Sequence, residues 1–182
     1  MSIPCSSLAV ANRFIDLAQS EGLTDLTPMK LLKLVYFAHG WHLGIMGKPL
    51  VDDRVEAWKF GPVMTRLYCE IKQYGTRHIS RKLEDFGESS PSDIPMLVPV
   101  EFLVKNSEDE RALDIINLVW EAYKGITAMQ LSNLTHLPGA PWSQTVEAEK
   151  KKYKGLLPTN TVIPTDCIRA YFKSLVDKNS KN

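Results

Sequence analysis

The chain has 182 residues, 44% of them hydrophobic and 24% charged, with a formal net charge of +1. That size suits one domain that folds on its own apolar core, without a metal or a disulfide framework. The near-neutral charge argues against a protein built to coat nucleic acid or an anionic membrane. Taken from its start, Met1 to Ser7 carries no basic and apolar leader pattern, so a cytoplasmic location is expected. Ser7 is placed to cap a first helix, whose apolar positions Ala11, Phe14, Ile15 and Ala18 follow a helical period and which Gly22 ends. Thr27-Pro28 then gives a start signal, an N-cap followed by proline in the first turn. The helix it opens carries Leu31, Leu34, Val35, Ala38 and Trp41, with Leu32 and Phe37 widening the apolar face. Such a helix belongs at the centre of a fold, and Gly44 and Gly47 mark its expected end.

Leu50 to Trp58 is partly β-branched and roughly alternating, which fits a strand or an extended segment. Gly61-Pro62 reads as the start of a third helix with Val63, Leu67, Ile71 and Tyr74 on one face, closed by Gly75. The stretch from Thr76 to Pro99, with Gly87, Ser89, Ser90 and three prolines, is long for a loop and reads as a flap or insertion. Met96 to Val104 looks like a strand at its end, which Pro99 confines to an edge.

Ser107 with Glu110 has the spacing of a capping box, followed by a stripe of Leu113, Ile116, Trp120 and Tyr123 that stops at Gly125. Thr127 with Gln130 is a second capping box, opening a shorter helix that reaches His136. Leu137 to Trp142, with Pro138, Gly139 and Pro141, predicts a tight loop. The basic run around Lys150 to Lys154 predicts a solvated helix end. A last helix begins near Thr165 with Ile168, Tyr171, Phe172 and Leu175, and the polar tail after Asp177 is expected to fray. The fold class is therefore mainly α. The expectation is a single helical domain over residues 1–178 with about six helices, a small β element and an irregular insertion at about 76–107, the residues 179–182 forming a disordered tail.

Thr27-Pro28-Met29-Lys30-Leu31-Leu32-Lys33-Leu34-Val35-Tyr36-Phe37-Ala38-His39-Gly40-Trp41-His42 resembles the opening helix of the Panacea domain of SocA-like and GepA-like, phage-associated antitoxins. Pro49-Leu50 with Glu56-Ala57-Trp58-Lys59-Phe60-Gly61-Pro62-Val63 is similar to the block that follows in that family, and Tyr68 with Lys72-Gln73-Tyr74-Gly75 to its continuation. Ser132 to His136, with Pro141-Trp142, resembles a later element; Thr76 to Ser107 matches no pattern of the family. The resemblance implies an antitoxin that neutralises a cognate toxin by direct protein contact. In one branch of the family it implies an adaptor that delivers the toxin to a Clp-type protease.

Aromatic and arginine side chains tend to anchor protein interfaces, which nominates Tyr36, Trp41, Trp58, Arg66 and Tyr68 for the partner. Gly61 and Pro62 shape the turn after Trp58, and a helix starting there would offer free N–H groups to an acidic or carbonyl partner. His136 is expected to hold the Pro141-Trp142 loop, and that loop to brace the Trp58 turn with the two tryptophans close together. Lys30, Lys33, Arg54, Lys59 and Arg66, interleaved with Asp52, Asp53, Glu56 and Glu70, suggest a mixed-charge protein interface.

Two other classes remain open. A small metal-dependent or hydrolytic enzyme would use His39, His42 and His136, with His78 a further candidate ligand. The sequence has no HExxH, phosphate loop or nucleophile elbow to support it, so no metal, cofactor or catalytic residue is assigned. A nucleic-acid-binding repressor is weaker still, since no helix-turn-helix with a basic recognition helix is evident. The three cysteines, Cys5, Cys69 and Cys167, form no CxxC pair. Cys69 and Cys167 are expected to act as small core hydrophobes, and Cys5 has no activating neighbour in sequence. No apolar run approaches the roughly 18 residues of a membrane span.

Overall fold

The computed structural model describes residues 3–86 and 96–180. Gly87, Ser89, Ser90, Pro91 and Pro95, from which a flap is expected, lie outside the described residues, as do the last two residues of the polar tail. The described residues form seven α-helices and two two-stranded antiparallel sheets, in the order α1 (Ser7–Ser20), α2 (Pro28–Met46), β1 (Val55–Trp58), β2 (Gly61–Met64), α3 (Thr65–Ile71), β3 (Glu84–Phe86), β4 (Leu97–Pro99), α4 (Ser107–Tyr123), α5 (Ala128–Thr135), α6 (Pro141–Lys152) and α7 (Thr165–Asn179). The mainly α expectation holds. A short 3-10 turn, Lys72–Tyr74, follows α3 before Gly75.

Helix α2 is the axle of the molecule. It starts as Thr27-Pro28 dictates, the Thr27 hydroxyl accepting from the Lys30 N–H. It packs against α1, α3, α4, α5, α7 and β2, so its side chains are buried on almost every side. The two glycines near its C-terminal end allow this. A Cβ at Gly40 would run into the Phe172 ring, and one at Gly44 would meet the backbone of Phe172 and Lys173 within 3 Å. Gly44 is thus not a stop signal, as expected from the sequence, but the place where α7 presses against α2. Helix α2 continues to Met46 and ends at Gly47, whose φ of +70° suits a left-handed cap.

Several local expectations are corrected by the side chains that reach each helix end. The cap of α1 is Ser6 rather than Ser7, and the Ser7 N–H donates to the Asp53 carboxylate at 3.0 Å. Asp53 therefore ties the β1 approach to α1. The cap of α4 is Asn106 rather than Ser107, its Oδ1 accepting from Glu108 and Asp109 N–H groups. The Thr127–Gln130 capping box is present. Pro141 occupies the first turn of α6, so the expected loop ends at Ala140 and there are seven helices where six were counted. Helix α7 runs to Asn179, two residues beyond the point where fraying was expected. Cys69 is exposed and Cys167 half-buried, so neither is a core residue.

The apolar side chains of these elements form one buried cluster. Polar side chains at its edge fix elements that the core alone would leave free. Asn12 on α1 is fully buried; its amide donates to the carbonyls of Leu83 (2.8 Å) and Val100 (2.9 Å), and its oxygen accepts from the Leu83 N–H (2.7 Å). One side chain thus clamps both ends of the β3–β4 hairpin, with Val100 N–H donating to Leu83 O beside it. One turn along α1, Asp16 meets Lys82, which also reaches Glu101. Asn12→Ala leaves buried backbone groups unpaired and is expected to cost about 2–3 kcal/mol in urea unfolding. Hydrogen exchange should accelerate first at Leu83 to Phe86 and Leu97 to Val100; an unchanged midpoint would count against the clamp.

Candidate functional site

The segment Glu56 to Val63 folds as a tight hairpin rather than as an entry into a helix. Strands β1 and β2 pair with Val55 opposite Met64 and Trp58 opposite Gly61, leaving Lys59-Phe60 as the two-residue tip. Gly61 sits at φ +101°, which favours glycine, and a Cβ there would collide with the Thr135 hydroxyl and crowd the Lys33 amine. Helix α3 begins only at Thr65, without a side-chain cap. The expected helix start at Gly61-Pro62, with N–H groups open to a partner, does not exist; those residues are buried in β2.

Three side chains from three helices hold this hairpin by its carbonyls. Lys33 on α2 donates to Pro62 O at 2.9 Å, Ser132 on α5 to Phe60 O at 3.0 Å, and the Trp142 indole on α6 to Trp58 O at 2.8 Å. The fourth side is closed by main chain, Ala57 N–H donating to Thr161 O and Ile163 N–H to Val55 O, both at 2.8 Å. His136 lies with its ring centre 3.9 Å from that of Trp142, and its Nδ1 donates to Ser132 O at 2.7 Å. The two tryptophans are joined through the Trp142 N–H and the Trp58 carbonyl; Trp58's own ring rests edge-on against Tyr68, 4.7 Å between centres.

Lys33 is the unusual member. It is 1% exposed, and its amine donates to a carbonyl with no carboxylate paired to it among the described residues. Burial disfavours the charged form and pushes its pKa down from 10.5 to about 7. Lys30, one turn earlier, is equally buried but spans Asp25 and the Lys124 carbonyl. Lys30 and Lys33 therefore drop out of the mixed-charge interface expected around them, because both amines are spent inside the fold.

With its backbone fixed on all sides, the hairpin holds Phe60 out into solvent at 53% exposure, with the Lys59 amine over its ring. Trp58 and Tyr68 are half-buried beside it, and Arg66 is exposed and pairs with Asp85. Of the residues nominated for a partner, Trp58, Arg66 and Tyr68 thus gather around the hairpin. Trp41 sits elsewhere, half-buried between α2, α4 and α7, its indole donating to the Tyr123 hydroxyl. Tyr36 is 2% exposed and its hydroxyl is held neutral by burial, so it has no surface to offer. The sequence placed Lys33 in a mixed-charge interface and Phe60 and Ser132 within the family blocks, and gave none of the three a role in holding or tipping the hairpin. A lysine inside a helix apolar all round was the one signal that pointed to a buried brace.

The histidines do not form a catalytic or metal centre. His39 faces the Val51 N–H and His42 the Lys48 carbonyl, both on the far side of α2, while His136 belongs to Trp142. Burial pushes the pKa of His39 down to about 4 and lowers that of His42, so both are neutral helpers of the core. Among the described residues no three His, Cys, Asp or Glu side chains gather as a metal would require. Cys5 is buried against Leu50 O, with its thiol pushed up to about 12, the opposite of an activated nucleophile. No helix among the described residues is long and apolar enough to cross a membrane.

The brace has a direct test. Trp142→Ala removes the His136 stack and the donor to Trp58 O, and is expected to cost about 3 kcal/mol by large-to-small truncation. Trp142→Phe keeps most of the ring and loses the N–H, for about 1 kcal/mol. Denaturant melts of both variants check the order; a Trp142→Phe melt identical to the wild type would mean that the hydrogen bond contributes nothing, and equal losses that the ring contributes nothing beyond it.

Residues 31–143 match the family described as Antitoxin SocA-like, Panacea domain, a stretch that runs from α2 to the start of α6 and contains the hairpin and all three of its donors. Antitoxin SocA of Caulobacter vibrioides (strain NA1000 / CB15N) is 33% identical over 134 residues, covering 74% of this chain. The chain spans 66% of that relative's length. No solved structure matches. The chain belongs to the SocA-like antitoxin, Panacea domain family.

Proposed function

We propose that this chain is the antitoxin of a toxin–antitoxin pair and that it neutralises its toxin by direct contact through the β1–β2 hairpin. The observation that carries the reading is the exposed Phe60 on a hairpin whose Trp58, Phe60 and Pro62 carbonyls are tied down. An aromatic side chain presented on a backbone that is already rigid loses little entropy on binding, which is what an interface anchor needs. Trp58 and Tyr68 extend the apolar contact, and Arg66 supplies a rim charge that can exchange Asp85 for an acidic partner group. The role is one of binding rather than catalysis.

What supports protein over nucleic acid as the partner is the fate of the cations, since Lys30 and Lys33 are buried. An enzyme reading finds no support in the scattered histidines. Whether a Clp-type protease joins the complex is a further step of the same proposal, visible as loss of toxin protein on co-expression rather than as mere inhibition.

Co-expression with the product of the adjacent gene tests the reading. Wild-type chain should restore growth and co-purify with that product. Phe60→Asp, at an exposed tip that leaves the core intact, should weaken capture by roughly 2 kcal/mol or more, the loss expected of an interface anchor. Rescue by Phe60→Asp at wild-type level would move the contact away from the hairpin, and failure of the wild type to rescue or bind would remove the antitoxin role.

A further inference from the structure

Away from the hairpin, α2 and α4 leave a groove between them that nothing in the fold fills. Ile115 and Val119 form its buried floor, Trp41 and Ile45 its α2 bank, and Leu118 and Ala122 its α4 bank. Leu118 is 66% and Ile45 49% exposed, unusual for aliphatic side chains four residues from an equally apolar neighbour on each helix. Each bank is an i, i+4 ridge, and two such ridges side by side make the furrow into which the ridge of a third helix packs. The lining runs from Ile115 to Tyr123 on α4, a furrow about 12 Å long at 1.5 Å per residue.

The charges beside the furrow select its occupant. On the outer side of Leu118, α4 carries Glu110, Asp114 and Glu121, at spacings of four and seven that put them in one line. Asp114 and Glu110 have no ion pair among the described residues, and Glu121 pairs only with the half-buried Lys124. Cations stand near them too: Arg111 lies seven residues before Leu118 on the same ridge, Arg13 of α1 donates to Asn117 beside the acids at 3.1 Å, and Lys48, just beyond α2, is paired with Glu108 at 2.7 Å. A second copy of the chain fits poorly. Two α4 helices laid antiparallel about Leu118 bring Asp114 of one beside Glu121 of the other, and laid parallel they set each acid against itself. Like charges so placed oppose association.

We propose that the α2–α4 groove is a second protein-docking surface, which takes an amphipathic helix with an apolar stripe and a basic edge. The stripe fills the furrow over Ile115 and Val119, and lysines or arginines along one edge meet Glu110, Asp114 and Glu121. This is helix-in-groove recognition, read by the partner through anchors one turn apart. It uses no residue of the hairpin and does not depend on the hairpin being the toxin contact.

The test needs no identified partner. Two fluorescent helical peptides of about 18 residues share leucines at i, i+3, i+4 and i+7, and differ in carrying lysine or glutamate along one edge. The lysine peptide should bind the full chain, and the glutamate peptide at least about tenfold more weakly. Leu118→Glu, at an exposed position, should lose about tenfold for the lysine peptide while circular dichroism stays unchanged, and Phe60→Asp should bind it as the wild type does. Equal binding of the two peptides, or of Leu118→Glu and wild type, overturns the proposal, as does loss of binding in Phe60→Asp. Sedimentation of the wild type as a dimer that Leu118→Glu dissociates would overturn it too, in favour of a second copy.

Discussion

The Lys33 amine leaves water to reach a single carbonyl, and the hairpin geometry depends on that bond. Burying an amine against the apolar flank of α2 is costly unless its hydrogens find acceptors. Pro62 O is that acceptor, at 2.9 Å. Proline has no N–H, so β2 cannot pair at that residue in the ordinary way on its donor side. The lysine from below takes its carbonyl instead. Gly61 completes the arrangement, because only a residue without a Cβ leaves room for both the amine and the Thr135 hydroxyl. The central helix thus does two things at once: it buries apolar surface in every direction and it reaches up to fix the loop that carries the family's block of residues.

The two small sheets are held in contrasting ways, and the contrast bears on what each can do. The β1–β2 hairpin is tied by Lys33, Ser132 and Trp142 and by the main chain of 161–163, so its tip is presented on a fixed frame. The β3–β4 hairpin is clamped at its base by Asn12 and projects Phe86, Met96 and Leu97 into solvent. Few buried contacts stand behind it, which places it at the low end of local stability. A rigid anchor suits recognition by preformed shape. The Trp41–Leu118 groove is of the same rigid kind, since both of its banks are helices packed into the core.

Much of the frame was legible in the residues, because helix signals are local. Thr27-Pro28 and the Thr127–Gln130 box mark helix starts through bonds made within one turn, and both stand where the sequence puts them. The misplaced boundaries have non-local causes. Gly44 looks like a stop until α7 is seen to need its bare backbone. Gly61-Pro62 looks like a helix start until Val55 to Trp58 pairs with it. Pairing, not propensity, decides a four-residue strand. Lys30 and Lys33 read as surface charge because lysine is rarely buried, and their acceptors, Lys124 O and Pro62 O, lie far along the chain. Of the nominated contact residues, Trp58, Tyr68 and Arg66 come together, whereas Tyr36 is lost to the core. Phe60 was read as part of the family block and not as a contact residue, because only the β1–β2 pairing puts it at a hairpin tip.

Titration of the buried Lys33 amine distinguishes a hairpin anchored from α2 from one that only rests on it. A lysine whose pKa is about 7 when folded and 10.5 when unfolded is neutral in the fold between those values and charged in the unfolded chain. Deprotonation therefore favours folding as pH rises. Unfolding free energies of the wild type and of Lys33→Met, measured in urea from pH 6.5 to 10, isolate this group, because the other titrating residues cancel in the difference. The wild type should gain on the variant steadily above pH 7, towards a plateau near 10.5. A difference independent of pH would place the amine in water and contradict the account.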